Sequence, residues 1–320
     1  MLGIEIVDPS LPVVLVIAGP TASGKTSLAL NIAERLPSEI VSADSRQVYT
    51  LLDIGTAKPT EEELNRVPHH CINIKEPDEK FNAGDFQEIG RKSIAGIVER
   101  KKLPIVVGGT GLYLRALIDG FFEQPQISGE VREGLEMRMK KEGKEMLYSE
   151  LLSVDPAAAS TMDASKYRRV IRALEIYYET GIPISQFHSQ HTPAVFYNTI
   201  FVALNWERQA LYERINRRVD RMIDGGLLEE VKRIQTLGFD DRFQSLQTVG
   251  YKEAFSFLRS EISHEEMVAL IKQNTRRFAK RQLTWFRKEK RTQWVDIASE
   301  TMIDDVRSQV AVLLAPYLQS

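Results

Sequence analysis

The sequence predicts an α/β protein built on a parallel sheet with helices on both faces, together with a helical insertion domain and a helical C-terminal part. Apolar strands alternate with helical patterns in the first part of the chain, and only short loops separate them. This alternation is typical of a parallel sheet, because two parallel strands need a long crossover connection that is usually helical. The strand signals then fade near residue 118 and return near residue 196, which indicates an insertion of a different kind.

In the first part of the chain, the pattern of apolar residues predicts three strands and two helices. Each strand is a short run rich in Val, Ile and Leu, and each helix repeats its apolar residues at helical spacing. In order they are the strand LPVVLVIAG from Leu11, the helix SLALNIAERL from Ser27, the strand EIVSADS from Glu39, a helix around residues 86–100 and the strand LPIVVGG from Leu103.

Residues 118–196 are predicted to form the helical insertion domain, since they are rich in Glu, Lys, Arg, Met and Ala. The core is then made of two separate parts, residues 1–117 and 197–320. A strand signal reappears in VFYNTIFVALNW from Val195, helical patterns follow, and TQWVDI from Thr292 indicates a last strand. The C-terminal part is therefore mainly helical.

Composition and charge are those of an ordinary soluble protein. The 320 residues are 43% hydrophobic and 27% charged, and the net charge is −2. No apolar run approaches the ~20 residues of a membrane span, and Glu5 and Asp8 precede the first run, where a secretory signal would carry positive charge. We therefore expect a cytoplasmic protein that is a monomer and has no membrane partner.

The single cysteine, Cys71, excludes an internal disulfide and is typical of a reducing compartment. It follows His69 and His70, so that three possible metal ligands are adjacent. Adjacent residues rarely converge on one ion, and no second pair of ligands follows downstream. The sequence therefore disfavours a zinc site at this position.

Residues Gly19–Thr26, GPTASGKT, have the spacing G-x-x-x-x-G-K-[ST] of a phosphate-binding loop, between an apolar strand and an amphipathic helix. Glycines let backbone N–H groups turn around an anion, and the helix that follows adds its positive end. Lys25 can reach the outer phosphate, and the Thr26 hydroxyl can ligate Mg²⁺. The motif predicts a diphosphate or triphosphate site without saying what is esterified to it.

Two polar residues follow neighbouring strands of the predicted sheet. Asp44 comes after EIVSA, and Thr110 lies in GGTG after LPIVV. The carboxyl ends of parallel strands meet at one crevice, so both side chains are expected beside the phosphate loop. The alternative is that Asp44 caps a turn or a helix and that Thr110 stabilises a turn.

Two C-terminal segments carry patterned cations. In LYERINRRVDRM from Leu211, one helical stripe is apolar and a second stripe beside it holds Arg214, Arg218 and Arg221. The segment TRRFAKRQLTWFRKEKR from Thr275 concentrates positive charge. Its aromatic residues could stack on bases, but their spacing favours a core position for Phe278, Leu283, Trp285 and Phe286.

Four long stretches besides the phosphate loop carry a family resemblance. They are SADSRQVYTLLDIGTAKP from Ser42, GGTGLYLRAL from Gly108, RRVIRALEIYYETG from Arg168 and AKRQLTWFR from Ala279. With GPTASGKT they closely resemble the tRNA dimethylallyltransferase family, also called tRNA isopentenyltransferases. The resemblance covers nearly the whole chain and implies a P-loop NTPase-like fold. It also implies transfer of a dimethylallyl group from dimethylallyl diphosphate to N6 of the adenosine 3′-adjacent to the anticodon in tRNA, with Mg²⁺ beside the diphosphate.

The resemblance also assigns roles to individual residues. Asp44 matches the family's general base, Thr110 matches the contact to the oxygen between carbon and diphosphate, and Arg218 matches a diphosphate-binding arginine. The loop residues assigned to the diphosphate are Gly19, Thr21, Ala22, Ser23, Gly24, Lys25 and Thr26. The residues assigned to the anticodon stem-loop of tRNA are Asp44, Ser45, Arg46, Gln47, Arg168, Arg169, Arg172, Gln247, Gly250 and Lys252.

Two other functions use part of the same evidence. A small-molecule kinase with ATP would explain Lys25, Thr26 and Asp44, but it leaves the basic helices and the insertion without a purpose. An RNA-binding protein without enzymatic activity would explain the basic helices. The intact phosphate loop beside Asp44 and Thr110 argues against it.

Overall fold

The computed structural model describes residue 8 and residues 10–121, 128–190, 194–297 and 303–315, and Glu5 lies outside these ranges. The chain divides into two compact units. Unit 1 combines Met1–Ile118 with Val195–Ser320, and unit 2 is the intervening Asp119–Ala194. The sequence places the two boundaries after residues 117 and 196, close to these positions.

Unit 1 is built on a parallel sheet. Its strands are β1 Val13–Ala18, β2 Ser38–Ser42, β3 His69–His70, β4 Leu103–Gly108, β5 Asn198–Trp206 and β6 Gln293–Ile297. Within the described residues the order is β3-β2-β4-β1-β5-β6, and each neighbouring pair is parallel. β1 lies inside the sheet, where Leu15 pairs with Ile105 on one side and Ile200 on the other. The sheet confirms the predicted α/β fold.

Helices α1 to α4 and α10 to α14 accompany the sheet, and α5 to α9 form unit 2. Their bounds are α1 Lys25–Ala33, α2 Glu61–Arg66, α3 Ala83–Glu99, α4 Gly111–Asp119, α5 Gly129–Glu142, α6 Lys144–Val154, α7 Pro156–Ala159, α8 Tyr167–Thr180, α9 Ile184–Gln190, α10 Arg208–Asp224, α11 Leu227–Thr236, α12 Tyr251–Leu258, α13 His264–Phe286 and α14 Ile303–Leu314. None of the described helices is both long enough and apolar enough to cross a membrane.

Both faces of the sheet are covered. The side chains of β1, β2 and β4 are buried along nearly their whole length, as in a parallel sheet between two helical layers. On one face Leu15 and Ile17 join a cluster with Leu28 of α1 and Val310 of α14. Val16, which alternates with them, is fully buried on the opposite face. This packing fixes the strands whose ends carry the phosphate loop.

Three helices of unit 1 begin with reciprocal capping boxes. Thr60 before α2, Asn82 before α3 and Ser263 before α13 each accept a hydrogen bond from the N–H three residues later, and the acidic side chain there accepts in return. α2 and β3 are not predicted from the sequence, because six and two residues are too short to show a period. The Thr60–Glu63 pair is the local signal that could have found α2.

The regular secondary structure in the described residues of unit 2 is all helical, and the unit has its own apolar core. Asp155 connects two of its helices, since its carboxylate accepts from the N–H of Ala158 at 2.9 Å and from the N–H of Ser185 at 3.0 Å. The leucine and valine side chains at the centre of the core are Leu135, Leu147, Leu151, Val170 and Leu174.

The C-terminal part agrees with most of its predicted pattern. β6 confirms the last strand and pairs with β5. The apolar stripe of α10 is buried at Leu211, Ile215 and Val219, and Arg218 beside it is half-buried.

One core prediction in α13 is wrong. Phe286 is fully buried and Trp285 is half-buried against Gly111, but Phe278 is 39% exposed. Eight residues at ~100° each place Phe278 roughly 80° around the helix from Phe286, so the two side chains do not share one face. Phe278 instead lines the crevice described below.

Candidate active site

The phosphate loop opens onto a crevice of unit 1 with a cavity of about 370 Å³. The ends of β2 and β4 form one part of its wall, and α10, α13 and the start of α12 form another. The residues assigned from sequence that line it are Thr21, Lys25, Thr26, Asp44, Ser45, Arg46, Gln47, Thr110, Arg218, Gln247, Gly250 and Lys252. The other four loop residues assigned to the diphosphate are Gly19, Ala22, Ser23 and Gly24.

Side chains from later parts of the chain hold the loop in shape. Arg214 Nε donates to the carbonyl of Ala22 at 2.9 Å, and Trp206 Nε1 donates to the carbonyl of Ser23 at 2.9 Å. The Arg214 guanidinium also lies 4.3 Å from the centre of the Trp206 ring. Ala22 has a φ of 63°, a strained value for a residue with a Cβ, which persists because its surroundings fix it. The loop is therefore shaped before any anion binds.

Lys25 and Arg218 concentrate positive charge in the crevice. Lys25 Nζ donates to the carbonyl of Pro20 at 2.7 Å. Burial, and after it the nearby charge of Arg218, lower the pKa of Lys25 to about 7, although Asp44 opposes the shift. Burial also lowers the pKa of Arg218, and Asp44 again opposes the shift. When Lys25 is protonated, it and Arg218 give the crevice an excess of positive charge over Asp44, and a bound polyanion would favour that protonated form.

Asp44 and Thr110 are brought together by the close approach of β2 and β4. Any Cβ at position 108 would lie 2.1 Å from the carbonyl oxygen of Ala43, so only glycine permits this approach. Thr110 Oγ1 accepts a hydrogen bond from the N–H of Ser45 at 3.2 Å, which leaves its own O–H free to donate. Thr110 therefore does both things: it stabilises a turn, and its side chain lines the crevice.

The Asp44 carboxylate is anchored at one oxygen. Oδ1 accepts from the N–H of Arg46 at 2.8 Å and from the N–H of Gln47 at 3.4 Å. Among the described residues, none donates a hydrogen bond to Oδ2. Asp44 thus stabilises its turn with one oxygen and keeps the second available to a ligand in the crevice.

The residues assigned to tRNA fall into two groups. Asp44, Ser45, Arg46, Gln47, Gln247, Gly250 and Lys252 line the crevice, whereas Arg168, Arg169 and Arg172 belong to α8 of unit 2. Arg168 and Arg169 are exposed. Arg172 Nη1 lies 3.1 Å from Oε2 of Glu175, a carboxylate that is 1% exposed, so Arg172 also compensates a buried charge.

Glu230 supports the site but is not among the residues predicted from the sequence. This buried carboxylate of α11 accepts hydrogen bonds from the N–H groups of residues 53–55 at 2.7 to 3.2 Å and from the Tyr251 hydroxyl at 2.6 Å. The loop it fixes continues to Thr56, whose carbonyl accepts from Arg218 Nη2 at 3.2 Å. In LLEEV the residue has the pattern of a solvated charge, so no local signal could have found it.

Possible metal ligands are scarce in the described part of the chain, which contains no group of three His, Cys, Asp or Glu side chains suited to an ion. His70 Nε2 pairs with Glu39 Oε2 at 2.7 Å, and His69 Nδ1 pairs with the carbonyl of Val67 at 2.7 Å. Burial raises the pKa of the Cys71 thiol to about 11. The oxygen donors of the crevice, Thr26 and Asp44, are the better candidates for a hard cation.

Comparisons with known proteins agree on one family. The model of the family described as IPP transferase matches residues 47–289. A tRNA dimethylallyltransferase 1 from Pelobacter propionicus is 46% identical over 289 residues, which are 90% of this chain and 94% of the relative. The crystal structure of a tRNA isopentenylpyrophosphate transferase from Bacillus halodurans is 40% identical, with a TM-score of 0.71 and coverage of 97% of this chain and 99% of that one.

A second solved structure extends the similarity to a eukaryotic protein. It is a dimethylallyltransferase described as acting on tRNA, and its sequence is 29% identical to this one. The TM-score is 0.83, and the alignment covers 95% of this chain and 79% of that chain. Because the alignment covers 95% of this chain, the similarity extends into both units.

Proposed function

Because the chain belongs to the IPP transferase family and is a tRNA dimethylallyltransferase, we propose that its crevice takes the dimethylallyl group from dimethylallyl diphosphate and delivers it to N6 of the adenosine 3′-adjacent to the anticodon. The observation that carries the proposal is the single crevice shared by the phosphate loop, Asp44, Thr110 and Arg218. This one crevice therefore holds both the groups that can bind the leaving diphosphate and a carboxylate that can accept a proton.

The leaving group is a diphosphate in this proposal. The bond between the allylic carbon and the diphosphate oxygen breaks, and the diphosphate leaves with the electron pair. Arg218 and the protonated form of Lys25 stabilise the developing negative charge, and a bound diphosphate favours that form because a nearby anion raises the pKa of Lys25. The Thr110 hydroxyl, whose oxygen already accepts from Ser45, donates to the oxygen that leaves.

The amine nitrogen forms the new bond to the allylic carbon and loses one proton. Asp44 Oδ2 accepts that proton, while Oδ1 stays bound to the backbone of its turn. The two oxygens of one carboxylate thus divide positioning and proton transfer between them. The product is a secondary aromatic amine and free diphosphate.

Mg²⁺ fits the donors of this crevice. Thr26 offers a hydroxyl at the first turn of α1, and Mg²⁺ commonly takes one or two protein oxygens together with phosphate oxygens and water. We assign Thr26 as its protein ligand. When bound, the ion neutralises part of the charge of the diphosphate.

The product assay tests this function directly. Unmodified tRNA is incubated with the protein, Mg²⁺ and dimethylallyl diphosphate, and its nucleosides are then analysed by mass spectrometry. We expect one prenylated adenosine, located 3′ of the anticodon. A parallel incubation with radiolabelled ATP tests the kinase alternative, which no comparison favours. Phosphoryl transfer without prenylated adenosine would overturn the proposal.

The exposed cations of α13 are proposed to contact tRNA phosphates. Arg277 and Lys280 are exposed, and Arg281 lies at the crevice with its guanidinium 5.7 Å from the centre of the exposed Phe278 ring. Replacing all three cations by glutamine should weaken tRNA binding and reduce the slope of log affinity against log salt by ~2–3, because fewer counterions are released. Binding measured over a salt series checks this.

A matched variant separates local contact from total charge. Arg35, Lys92 and Lys101 are exposed in unit 1 and do not line the crevice, so their replacement by glutamine removes the same charge elsewhere. We expect its salt slope to stay close to that of the parent protein. Equal slopes for the two triple variants would remove α13 from the tRNA contact surface.

A further inference from the structure

Gln282 of α13 is a buried amide that connects two loops of the crevice. It is 7% exposed, and both of its polar atoms are engaged. Oε1 accepts a hydrogen bond from the N–H of Thr21 at 2.8 Å, and Nε2 donates to the carbonyl of Gly109 at 2.8 Å. Thr21 belongs to the phosphate loop, and Gly109 directly precedes Thr110. One side chain therefore bridges the loop that holds the anion and the residue that faces the leaving oxygen.

The two loops meet closely at this bridge. A Cβ built at position 109 would lie 2.1 Å from Gln282 Nε2 and 3.4 Å from the carbonyl oxygen of Gly19. Glycine at 109 is thus required by the amide itself. Since an unpaired buried amide is costly, both hydrogen bonds are needed for this arrangement to be stable.

The bridge also limits which backbone groups can bind the anion. The N–H of Thr21 points to Gln282 Oε1, so it is already paired before a ligand arrives. The diphosphate is then confined to the remaining N–H groups of the loop and to the cations Lys25 and Arg218. Its oxygens are thereby restricted to fewer arrangements relative to Thr110.

We propose that Gln282 is a positioning residue that sets the separation between the phosphate loop and Thr110, and with it the alignment of the leaving oxygen. The inference rests on the proposed function, because it concerns departure of a diphosphate. Displacement of reacting groups by ~1 Å can cost on the order of 10²-fold in rate. Gln282 acts in this proposal through the two loops that it bridges.

The packing of α13 does not depend on Gln282. Met267, Ile271, Ala279 and Phe286 of this helix are all buried. Gln282→Met keeps the length and apolar volume of the side chain but removes both hydrogen bonds. We therefore expect the helix to stay in place while the two loops lose their bridge.

The test measures single-turnover rates at saturating dimethylallyl diphosphate, Mg²⁺ and tRNA. Gln282→Met should react ~10- to 10²-fold more slowly per active site, with tRNA affinity close to that of the parent protein; the unfolding midpoint should fall, because the Thr21 N–H and the Gly109 carbonyl lose their partner. Gln273→Met is the control, because Gln273 is exposed on the same helix. Its rate should match the parent rate.

Gly109→Ala breaks the same bridge from the other end, so a double-mutant cycle gives an independent readout. If both changes act through one contact, Gly109→Ala with Gln282→Met should lose no more rate than the worse single variant. A parent rate in Gln282→Met, a loss confined to tRNA affinity or active fraction, or additive losses in the cycle would each overturn the inference. Absence of prenylated product with the parent protein would instead overturn the proposed function on which it rests.

Discussion

Asp44→Asn is expected to lower the single-turnover rate by ~10²–10⁴-fold at saturating donor, Mg²⁺ and tRNA, equivalent to roughly 3–5.5 kcal/mol of barrier. Asparagine keeps a carbonyl oxygen that can accept from the N–H groups of Arg46 and Gln47, so the turn after β2 should persist. It replaces the second carboxylate oxygen by an amide that accepts no proton. The loss should therefore appear in the chemical step.

Binding measurements separate this role from metal binding. If Asp44 acted only by holding Mg²⁺, the variant would lose affinity for metal or donor, and higher concentrations of both would restore the rate. Asp78→Asn is a suitable control, because Asp78 is exposed and does not line the crevice. A single-turnover rate for Asp44→Asn within a few-fold of the parent rate would exclude Asp44 as the base, since a positioned base contributes at least ~10²-fold.

Arg218→Met is expected to lower the rate by ~10²–10³-fold, because a fixed cation aimed at developing negative charge is lost from a desolvated site. The pKa of Lys25 should rise in this variant, since the nearby charge of Arg218 is one of the causes that lower it. Lys25 is therefore at least as protonated in the variant as in the parent protein, so a loss of charge at Lys25 does not explain the lower rate. Pre-steady-state measurement of prenylated tRNA checks the rate.

Two variants define the origin of that effect. Arg218→Lys keeps the positive charge, but an ammonium group cannot reproduce the planar guanidinium that donates to the carbonyl of Thr56. We therefore expect its rate to lie between those of Arg218→Met and the parent protein. Arg217→Met changes the preceding, exposed arginine and should leave the chemical step nearly unchanged. If Arg218→Met altered only tRNA affinity, its assignment to the diphosphate would be wrong.

Local patterns were sufficient to predict the sheet and the position of the crevice. The apolar runs beginning at Leu11, Glu39 and Leu103 became adjacent parallel strands, and their ends brought Asp44 and Thr110 beside the phosphate loop. This worked because the geometry of a parallel sheet makes the ends of its strands converge. His69–His70 escaped prediction, since a two-residue strand is defined by its partner β2 and has no pattern of its own.

The supporting residues could not be predicted in the same way. Glu230 and Gln282 act on loops that are distant in sequence, and each lies in an ordinary helical segment. Their burial depends on how α11 and α13 pack in three dimensions. Phe278 is the converse case: its spacing predicts a buried side chain, but the side chain is exposed. Helical spacing alone does not decide which face of α13 meets the core.

Because β1 lies inside the sheet, the sheet cannot be completed until a late stage of protein synthesis. β4 ends at Gly108 and β5 ends at Trp206, so one edge of β1 has no partner strand until the intervening unit 2 has been translated. At ~5–20 residues per second that interval lasts about 5–20 s. During it, the nascent chain exposes an apolar strand edge that can pair with other chains. Trp206, Arg214 and Gln282, which hold the phosphate loop, emerge from the ribosome later still, so the nascent protein reaches its ligand-binding shape only near the end of translation.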